Sequence, residues 1–280
     1  MKIKITADST CDLPVDLIQK YNIDIVPLYI VDGKKTLRDG IDINAEAIFD
    51  KVRSGGEICS TAAVNVTDYI EVFSKLRERY DAIVHINISS ELSACHQNAM
   101  IAAEEVKNVY PVDSMSLSTA SGHLVLDAAM LAAGGIEAAE IQKEMTKRCE
   151  KIDTSFVLDT LEYLRRGGRC SAITAFGANL LNIKPCIEMK DGKLGLGKKY
   201  RGNLEKTFFA YITDKLKDQD DVDYRRIFIT HSGLSDELLE KLRDLVLEYG
   251  TFDEVIINKA GCTISNHCGP SAMGILFYRK

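Results

Sequence analysis

The feature that most constrains this fold is the alternation of strand-like and helix-like patterns through the first half of the 280-residue chain. Residues 3–7 alternate apolar and polar side chains, residues 82–88 are largely apolar and β-branched, and residues 109–113 form a third short segment, all patterns typical of strands. Helix-like stretches follow them, and the first, residues 14–20, has Asp12 as its expected N-cap. This alternation predicts an α/β fold with a mostly parallel sheet flanked by helices.

The second half has a different pattern. Asp191-Gly192 stands between two apolar segments, which indicates a β-hairpin and therefore an antiparallel pair. Further helix and strand patterns follow it up to the last residues. We therefore expect two domains, an N-terminal α/β domain at 1–155 and a C-terminal domain at 156–280 with a mixed sheet and helices.

Composition excludes several classes of protein. The net charge of −6 argues against a nucleic-acid-binding surface, which normally carries a basic excess. Eight cysteines occur without any C-x-x-C pair, so we expect no metal site and a reducing cytoplasmic location. We expect neither a signal peptide nor an integral membrane protein, because no apolar run reaches 18 residues.

Three polar segments stand where a ligand site is expected. Residues 8–10 (Asp-Ser-Thr) and 89–93 (Ser-Ser-Glu-Leu-Ser) each follow a predicted strand, and Ser60-Thr61 lies among small apolar residues. Ligands of open α/β sheets bind beyond the carboxyl ends of the strands. Serine, threonine and aspartate also cap helices and form turns, so each segment equally fits a purely structural role. The residues alone leave both interpretations open.

Two later segments also contain side chains suited to binding a ligand. Residues 262–270 read as a polar loop containing His267, whose role depends on whether Thr61 and Ser93 are nearby. Residues 161–169 read as a helix that ends in three arginines, which indicates either a favourable helix C-terminus or a docking patch for an anion. Residues 192–199 approach the P-loop pattern but lack its final hydroxyl and its strand-loop-helix context.

Taken together and in order, seven segments resemble the DegV family. They are ITADSTCDLP at 5–14, STAAV at 60–64, ISSELSACHQNA at 88–99, VDSMSLSTASG at 112–122, LEYLRRGGR at 161–169, NIKPCIEMKDGKL at 182–194 and NHCGP at 266–270. The sequence departs from the family pattern after Thr61, at Ala94-Cys95-His96 and at Ala120, but it keeps hydroxyls at Thr61 and Ser93.

The resemblance implies a carrier for a long-chain fatty acid rather than a complete enzyme. The acyl chain would lie between the domains, with its carboxylate bound by Thr61, Ser93 and His267. An ATP-binding kinase subunit would then phosphorylate this carboxylate to an acyl phosphate. Arg169 and Arg201 match basic positions associated with that step. The resemblance implies no cofactor beyond the bound fatty acid and no catalytic residue in this chain.

The expected wall of the pocket is formed by small polar residues and a glycine. Those residues are Ser9, Thr10, Ser60, Ser90, Ser118 and Gly269.

Two other functions fit the same residues. The first is a free-standing hydrolase or transferase for a small anionic substrate, with Ser93 as nucleophile and His267 as base. Such an enzyme needs a third group that orients the base, and Asp8 or Asp113 is available for this. The second is a lipid sensor that binds the same ligand without a kinase partner.

Overall fold

The computed structural model describes residues 1–171 and 183–280, in which thirteen strands and ten α-helices are assigned. The motif at 182–194 therefore lacks its first residue, Asn182, which lies outside the described residues. In chain order the strands are β1 (Ile3–Asp8), β2 (Asp24–Val26), β3 (Tyr29–Asp32), β4 (Lys35–Arg38), β5 (Ser60–Ala62), β6 (Ala82–Asn87), β7 (Val109–Asp113), β8 (Ile152–Val157), β9 (Ile183–Lys190), β10 (Lys193–Arg201), β11 (Val222–His231), β12 (Glu254–Lys259) and β13 (Met273–Arg279). The helices are α1 (Val15–Lys20), α2 (Ala45–Arg53), α3 (Val66–Arg77), α4 (Cys95–Val106), α5 (Ser118–Ala133), α6 (Ala138–Arg148), α7 (Glu162–Gly167), α8 (Leu204–Leu216), α9 (Asp236–Tyr249) and α10 (Cys262–Cys268).

The first half contains a four-stranded sheet with the order β2-β1-β6-β7. All three pairs in it are parallel, which confirms the predicted architecture. Every residue of β6 is buried, because helices cover both faces of a parallel sheet of this kind. Polar segments 8–10 and 89–93 follow the carboxyl ends of the neighbouring strands β1 and β6, so they meet at one edge.

The second half contains a six-stranded mixed sheet with the order β10-β9-β8-β13-β11-β12. Only the β11–β12 pair is parallel, and the Asp191-Gly192 turn joins β9 to β10 as an antiparallel hairpin. Both features confirm the predicted mixed sheet. Because β8 begins at Ile152 and lies wholly in this sheet, the expected domain boundary near residue 155 falls inside a strand. The division into 1–155 and 156–280 stays a prediction.

A small third sheet, with the order β4-β3-β5, was not expected from the sequence. The apolar run 23–31 predicts one strand, and that prediction is wrong: β2 pairs with β1, whereas β3 pairs with β4 and β5. The break falls at Pro27-Leu28, where proline has no N–H to donate to a ladder. Because β5 pairs with β3, Thr61 on β5 comes to lie beside His267 in the second half of the chain.

One hydrophobic core is shared by the two halves. Leu28 and Ile88 from the first half pack in the same buried cluster as Phe156, Leu164 and Ile264 from the second. Within the described part of the chain, no helix is both long and apolar enough to cross a membrane. The shared core places a closed apolar region between the two sheets.

Alanine substitutions at two separate glycines test how tightly β13 is packed. A Cβ on Gly274 would lie 2.5 Å from the Ser155 carbonyl oxygen, whereas a Cβ on Gly195 would meet nothing nearer than 3.8 Å. We expect Gly274→Ala to destabilise the protein by about 1–3 kcal/mol through overpacking. Gly195→Ala, the matched control, should stay within about 0.5 kcal/mol of the wild type. Urea unfolding, monitored by circular dichroism, gives the free energy of unfolding of each variant. Equal losses of stability in the two variants would contradict this packing.

Candidate functional site

The segment 262–270 was expected to be a loop, and this is wrong, because residues Cys262–Cys268 form helix α10. The first amides of a helix have no partners within the helix. Here Asp39 Oδ1 accepts from Cys262 N at 3.0 Å, and Asp39 Oδ2 accepts from Thr263 N at 3.1 Å. Asp12 Oδ1 accepts from Gly261 N at 2.9 Å. Two carboxylates from the first half therefore hold the start of a helix from the second half.

Asp12 does not cap α1, as the sequence had suggested, and Pro14 occupies that position without a side-chain bond. Its carboxylate accepts from Ser118 Oγ at 2.6 Å as well as from Gly261. Burial and, to a smaller extent, the nearby Asp39 carboxylate raise the pKa of Asp12 to about 8. Asp12 thus links α5 to α10 and takes no part in α1.

Asp8 has a related structural role at the end of β1. It is fully buried and accepts hydrogen bonds from Tyr69 Oη at 2.7 Å, Asn87 Nδ2 at 3.2 Å and Ile88 N at 3.0 Å. The bond to Ile88 fixes the path of the chain as it leaves β6 toward Ser93. Asp8 therefore positions the polar segment 89–93.

Ser93 lies two residues before α4, which begins at Cys95. Its Oγ accepts from Cys95 N at 3.3 Å and donates to Cys95 Sγ at 3.2 Å. The side chain is half-buried. A hydroxyl beside the first turn of a helix is well placed to act together with the free amides of that turn on an anion.

Thr61 and His267, 206 residues apart in the chain, are joined directly. Thr61 Oγ1 lies 2.9 Å from His267 Nε2. The contact depends on Asn266, whose Nδ2 donates to the Cys59 carbonyl at 2.8 Å and so ties α10 to β5. The third sheet and α10 together therefore bring these two side chains to one point.

The imidazole of His267 is neutral at pH 7. Burial and, to a smaller extent, the positive charge of Arg169 lower its pKa to about 4. Among the described residues Nδ1 has no hydrogen-bond partner, and a Cβ on Gly167 would lie only 2.0 Å from it. Glycine at position 167 is therefore what leaves room for this ring.

These side chains surround a cavity of about 560 Å³ of empty space, part of it open to solvent. Thr61, Ser93, His267 and Arg169 all line it. The rest of its wall is mostly apolar and comes from both halves: Leu28, Ala62, Ala63, Ile88, Leu92, Leu117, Phe156, Leu164, Leu194, Ile264 and Cys268, with Thr263 as a further hydroxyl. The arrangement is a narrow polar end on an otherwise hydrocarbon-lined space.

A second cavity, with about 340 Å³ of empty space that is partly open to solvent, adjoins the first. The two share four lining residues, Leu117, Phe156, Ile264 and Cys268. Its polar neighbours are already bonded within the protein, since Thr230 Oγ1 contacts Thr119 and donates to Asn258. The second cavity therefore extends the apolar space.

Most residues expected in the pocket wall lie elsewhere. Ser60 and Ser90 are exposed, and Ser9 Oγ donates to Asp39 and accepts from Leu28 N. Thr10 is buried outside both cavities, and Gly269 packs against Tyr163. Ser118, bonded to Asp12, borders the second cavity only. None of these residues lines the first cavity, and Ser9 and Ser118 are bonded to the carboxylates of Asp39 and Asp12.

The two expected arginines differ in position. Arg169 is exposed at the wall of the first cavity, and its Nη1 donates to the Gly167 carbonyl at 2.6 Å. Arg201 is exposed at the end of β10 and lines neither cavity.

The geometry of a hydrolase is not formed. Within residues 1–171 and 183–280, no hydrogen bond joins Ser93 to His267, and no carboxylate contacts His267 Nδ1. Asp113 is engaged with the amides of Ser90 and Met115. No cluster of His, Cys, Asp and Glu that could hold a metal ion occurs in the described residues.

Asp39, Thr263 and Gly167 were not singled out from the sequence. Asp39-Gly40 carries an ordinary turn signal, and the sequence gives no sign that this carboxylate reaches a helix more than 220 residues later. The i, i+4 spacing of Thr263 and His267 becomes informative only once the segment is known to be helical.

Comparison with known proteins agrees with this architecture. A DegV domain-containing protein of Caldanaerobacter subterraneus subsp. tengcongensis is 34% identical, over 100% of this chain and 99% of that protein. A protein of Thermotoga maritima named fatty acid-binding protein is 31% identical, over 98% of this chain and 96% of its own length.

Among solved structures, a DegV family protein of Thermus thermophilus, whose structure concerns fatty acid binding, has a TM-score of 0.91. It shares 32% sequence identity, and 100% of each chain is covered. The model of the DegV protein family matches residues 2–280. This chain therefore belongs to the DegV family.

Proposed function

We propose that this protein binds one long-chain fatty acid between its two halves and presents the carboxylate to an ATP-binding kinase subunit, which converts it to an acyl phosphate. The observation that carries the proposal is that Thr61, Ser93 and His267 line one cavity whose remaining wall is mostly apolar, with Thr61 bonded to His267. The kinase step rests on the arginines and on the family resemblance.

The polar end suits a carboxyl group. A buried carboxylate must be hydrogen-bonded to be tolerated. The hydroxyl of Ser93 can donate, and the bonded pair of Thr61 and His267 supplies one further donor. That donor is the Thr61 hydroxyl when Nε2–H donates to it, or the Nδ1–H of the neutral imidazole when Nε2 accepts from Thr61. The bond between Thr61 and His267 sets the orientation in which both meet the ligand.

The apolar cavities suit an acyl chain. At roughly 0.8 kcal/mol for each buried CH₂ group, an acyl tail of about 16 carbons gains on the order of 12 kcal/mol before costs. Immobilising the ligand and ordering the protein offset a large part of this gain. The tail therefore supplies most of the affinity, and the head group fixes the orientation of the ligand.

Relatives support the ligand. The Thermotoga maritima protein named for fatty acid binding and the Thermus thermophilus structure are each more than 30% identical over nearly the whole chain. A hydrolase is disfavoured because, among the described residues, no hydrogen bond joins Ser93 to the imidazole of His267.

The role of carrier fits what phosphoryl transfer requires. Such transfer is mostly positioning and charge stabilisation. A carrier that fixes the acceptor carboxylate and adds a guanidinium leaves ATP and Mg²⁺ to its partner. Arg169 stands beside the proposed head group, and Arg201 is free of the cavity on an exposed strand end. A lipid sensor would bind the same ligand but would have no such partner step.

The head-group assignment predicts a loss of binding in Thr61→Ala/Ser93→Ala. Removing two donors to a charged group should lower affinity for palmitate or oleate at least about tenfold, since one such bond is worth roughly 1.5–3 kcal/mol. Native mass spectrometry of the purified protein, followed by extraction of the retained lipid, comes first, and calorimetric titration of delipidated protein gives the affinity.

The matched control is Ser60→Ala/Ser90→Ala, since both serines are exposed and lie outside the cavities. It should bind like the wild type. Unchanged binding in the Thr61/Ser93 variant would remove these residues from the site. A wild-type protein that retains no lipid and rejects added fatty acid would instead refute the ligand.

Alanine variants of the two arginines should distinguish fatty acid binding from phosphoryl transfer to the carboxylate. We expect Arg169→Ala and Arg201→Ala to lower kinase-dependent acyl-phosphate formation about tenfold or more while fatty acid affinity changes little. Arg243, exposed on α9, is the control position, and its change to alanine should leave both quantities unaltered. Loss of fatty acid binding in either arginine variant would assign that residue to the pocket.

The ionisation of His267 gives a prediction about pH. Its pKa is lowered to about 4, below that of an unfolded histidine near 6.5, so the unfolded chain binds the proton more readily. The resulting stability is fully present above pH 6.5 and is lost as the pH falls toward 4. An NMR titration should show the His267 ring shifting near pH 4 and unchanged between pH 8 and 6.

His123 needs separate assignment, because burial lowers its pKa to about 4 as well. A His123→Gln variant identifies its signal. A midpoint near 6.5 for His267 would contradict the buried, neutral ring.

A further inference from the structure

Thr263 is a cavity residue whose hydroxyl has no evident structural purpose. It lies on α10 one turn before His267, on the same face of the helix, and it lines the first cavity. The residue is only 4% exposed. Its backbone amide is already used, since it donates to Asp39.

The Oγ1 atom of Thr263 is buried and has no hydrogen-bond partner among the described residues. Buried polar groups in folded proteins are nearly always hydrogen-bonded, because an unmet donor keeps the cost of losing water. Valine has almost the same shape as threonine and avoids that cost. A threonine here therefore needs a partner that the protein itself does not supply.

The other polar groups around this cavity are engaged differently. Thr61 is bonded to His267, and Ser93 is bonded to Cys95. The hydroxyl of Thr263 stands in the same wall with its donor unused. Because one helical turn separates Thr263 from His267, a group bound at the imidazole lies within its reach.

We propose that the Thr263 hydroxyl donates a hydrogen bond to the head group of the bound ligand, as a fourth polar contact beside Thr61, Ser93 and His267. This inference rests on the proposed function, since it takes the ligand to carry a carboxyl group at that end of the cavity. Thr263 thereby lowers the free energy of the loaded protein while its empty form bears an unpaired hydroxyl.

The experiment uses Thr263→Val, which removes the hydroxyl and keeps the shape. Delipidated full-length protein is titrated with palmitate and with oleate, and the thermal midpoint of the ligand-free protein is measured in parallel. Affinity should fall about tenfold, which corresponds to about 1.4 kcal/mol. The thermal midpoint should stay the same or rise, because an unpaired buried hydroxyl has been removed. Thr263→Ser, which keeps the hydroxyl, should retain most of the wild-type affinity.

Thr207→Val is the matched control. Thr207 also has a buried Oγ1 without a partner among the described residues, but it lies on α8 and lines neither cavity. Its change to valine should leave the affinity for palmitate at the wild-type value.

Three results would overturn the inference. Wild-type affinity in Thr263→Val would mean that the hydroxyl meets a buried water or nothing. A lower thermal midpoint of ligand-free Thr263→Val would mean that the hydroxyl has a structural partner. Equal losses of affinity in Thr207→Val would make the effect unspecific. If the wild type itself binds neither fatty acid, the proposed function fails first, and the inference fails with it.

Discussion

The site depends on the pair of buried carboxylates, Asp12 and Asp39, that hold the first turn of α10. Both come from the first half of the chain, and the amides they accept from belong to the second half. Their carboxyl oxygens also meet the free amides at the start of the helix, which carry partial positive charge. Without them, a seven-residue helix would have little stability of its own. The position of His267 therefore follows from contacts made at the opposite end of its helix.

That constraint explains why the cavity is polar at one end only. Helix α10 is tied to the first half by Asp39 at its start and by Asn266 near its end. The ring of His267 is then held against Gly167 and Thr61. Beyond this point the two halves meet through apolar side chains such as Phe156 and Ile264. The protein thus has hydrogen-bonding groups beside His267 and a mostly apolar wall along the rest of the first cavity.

Much of the larger architecture could be predicted from the sequence. Buried parallel strands appear as continuous apolar segments, which is why β1, β6 and β7 were recognised. The Asp191-Gly192 hairpin was recognised because a tight turn needs residues that tolerate positive φ, and both residues adopt it. The third sheet was missed, since β5 is a three-residue strand whose side chains are mostly exposed and carry little apolar pattern. Helices α2 and α3 were also missed, although Asn44 and Asn65 cap them as expected of asparagine before a helix.

The sequence by itself determined the two kinds of sheet, the membership of a known family and the identity of the polar residues that meet in the cavity. These properties are local: they depend on the order of residue types along a few consecutive positions. Only the tertiary structure decided which of the serines and threonines face the cavity and which support its frame. Thr61 and His267 are 206 residues apart, and Asp39 reaches Cys262 across 223 residues. Such pairings depend on how the two halves pack, because burial and hydrogen bonding between distant segments leave no periodic pattern in the sequence.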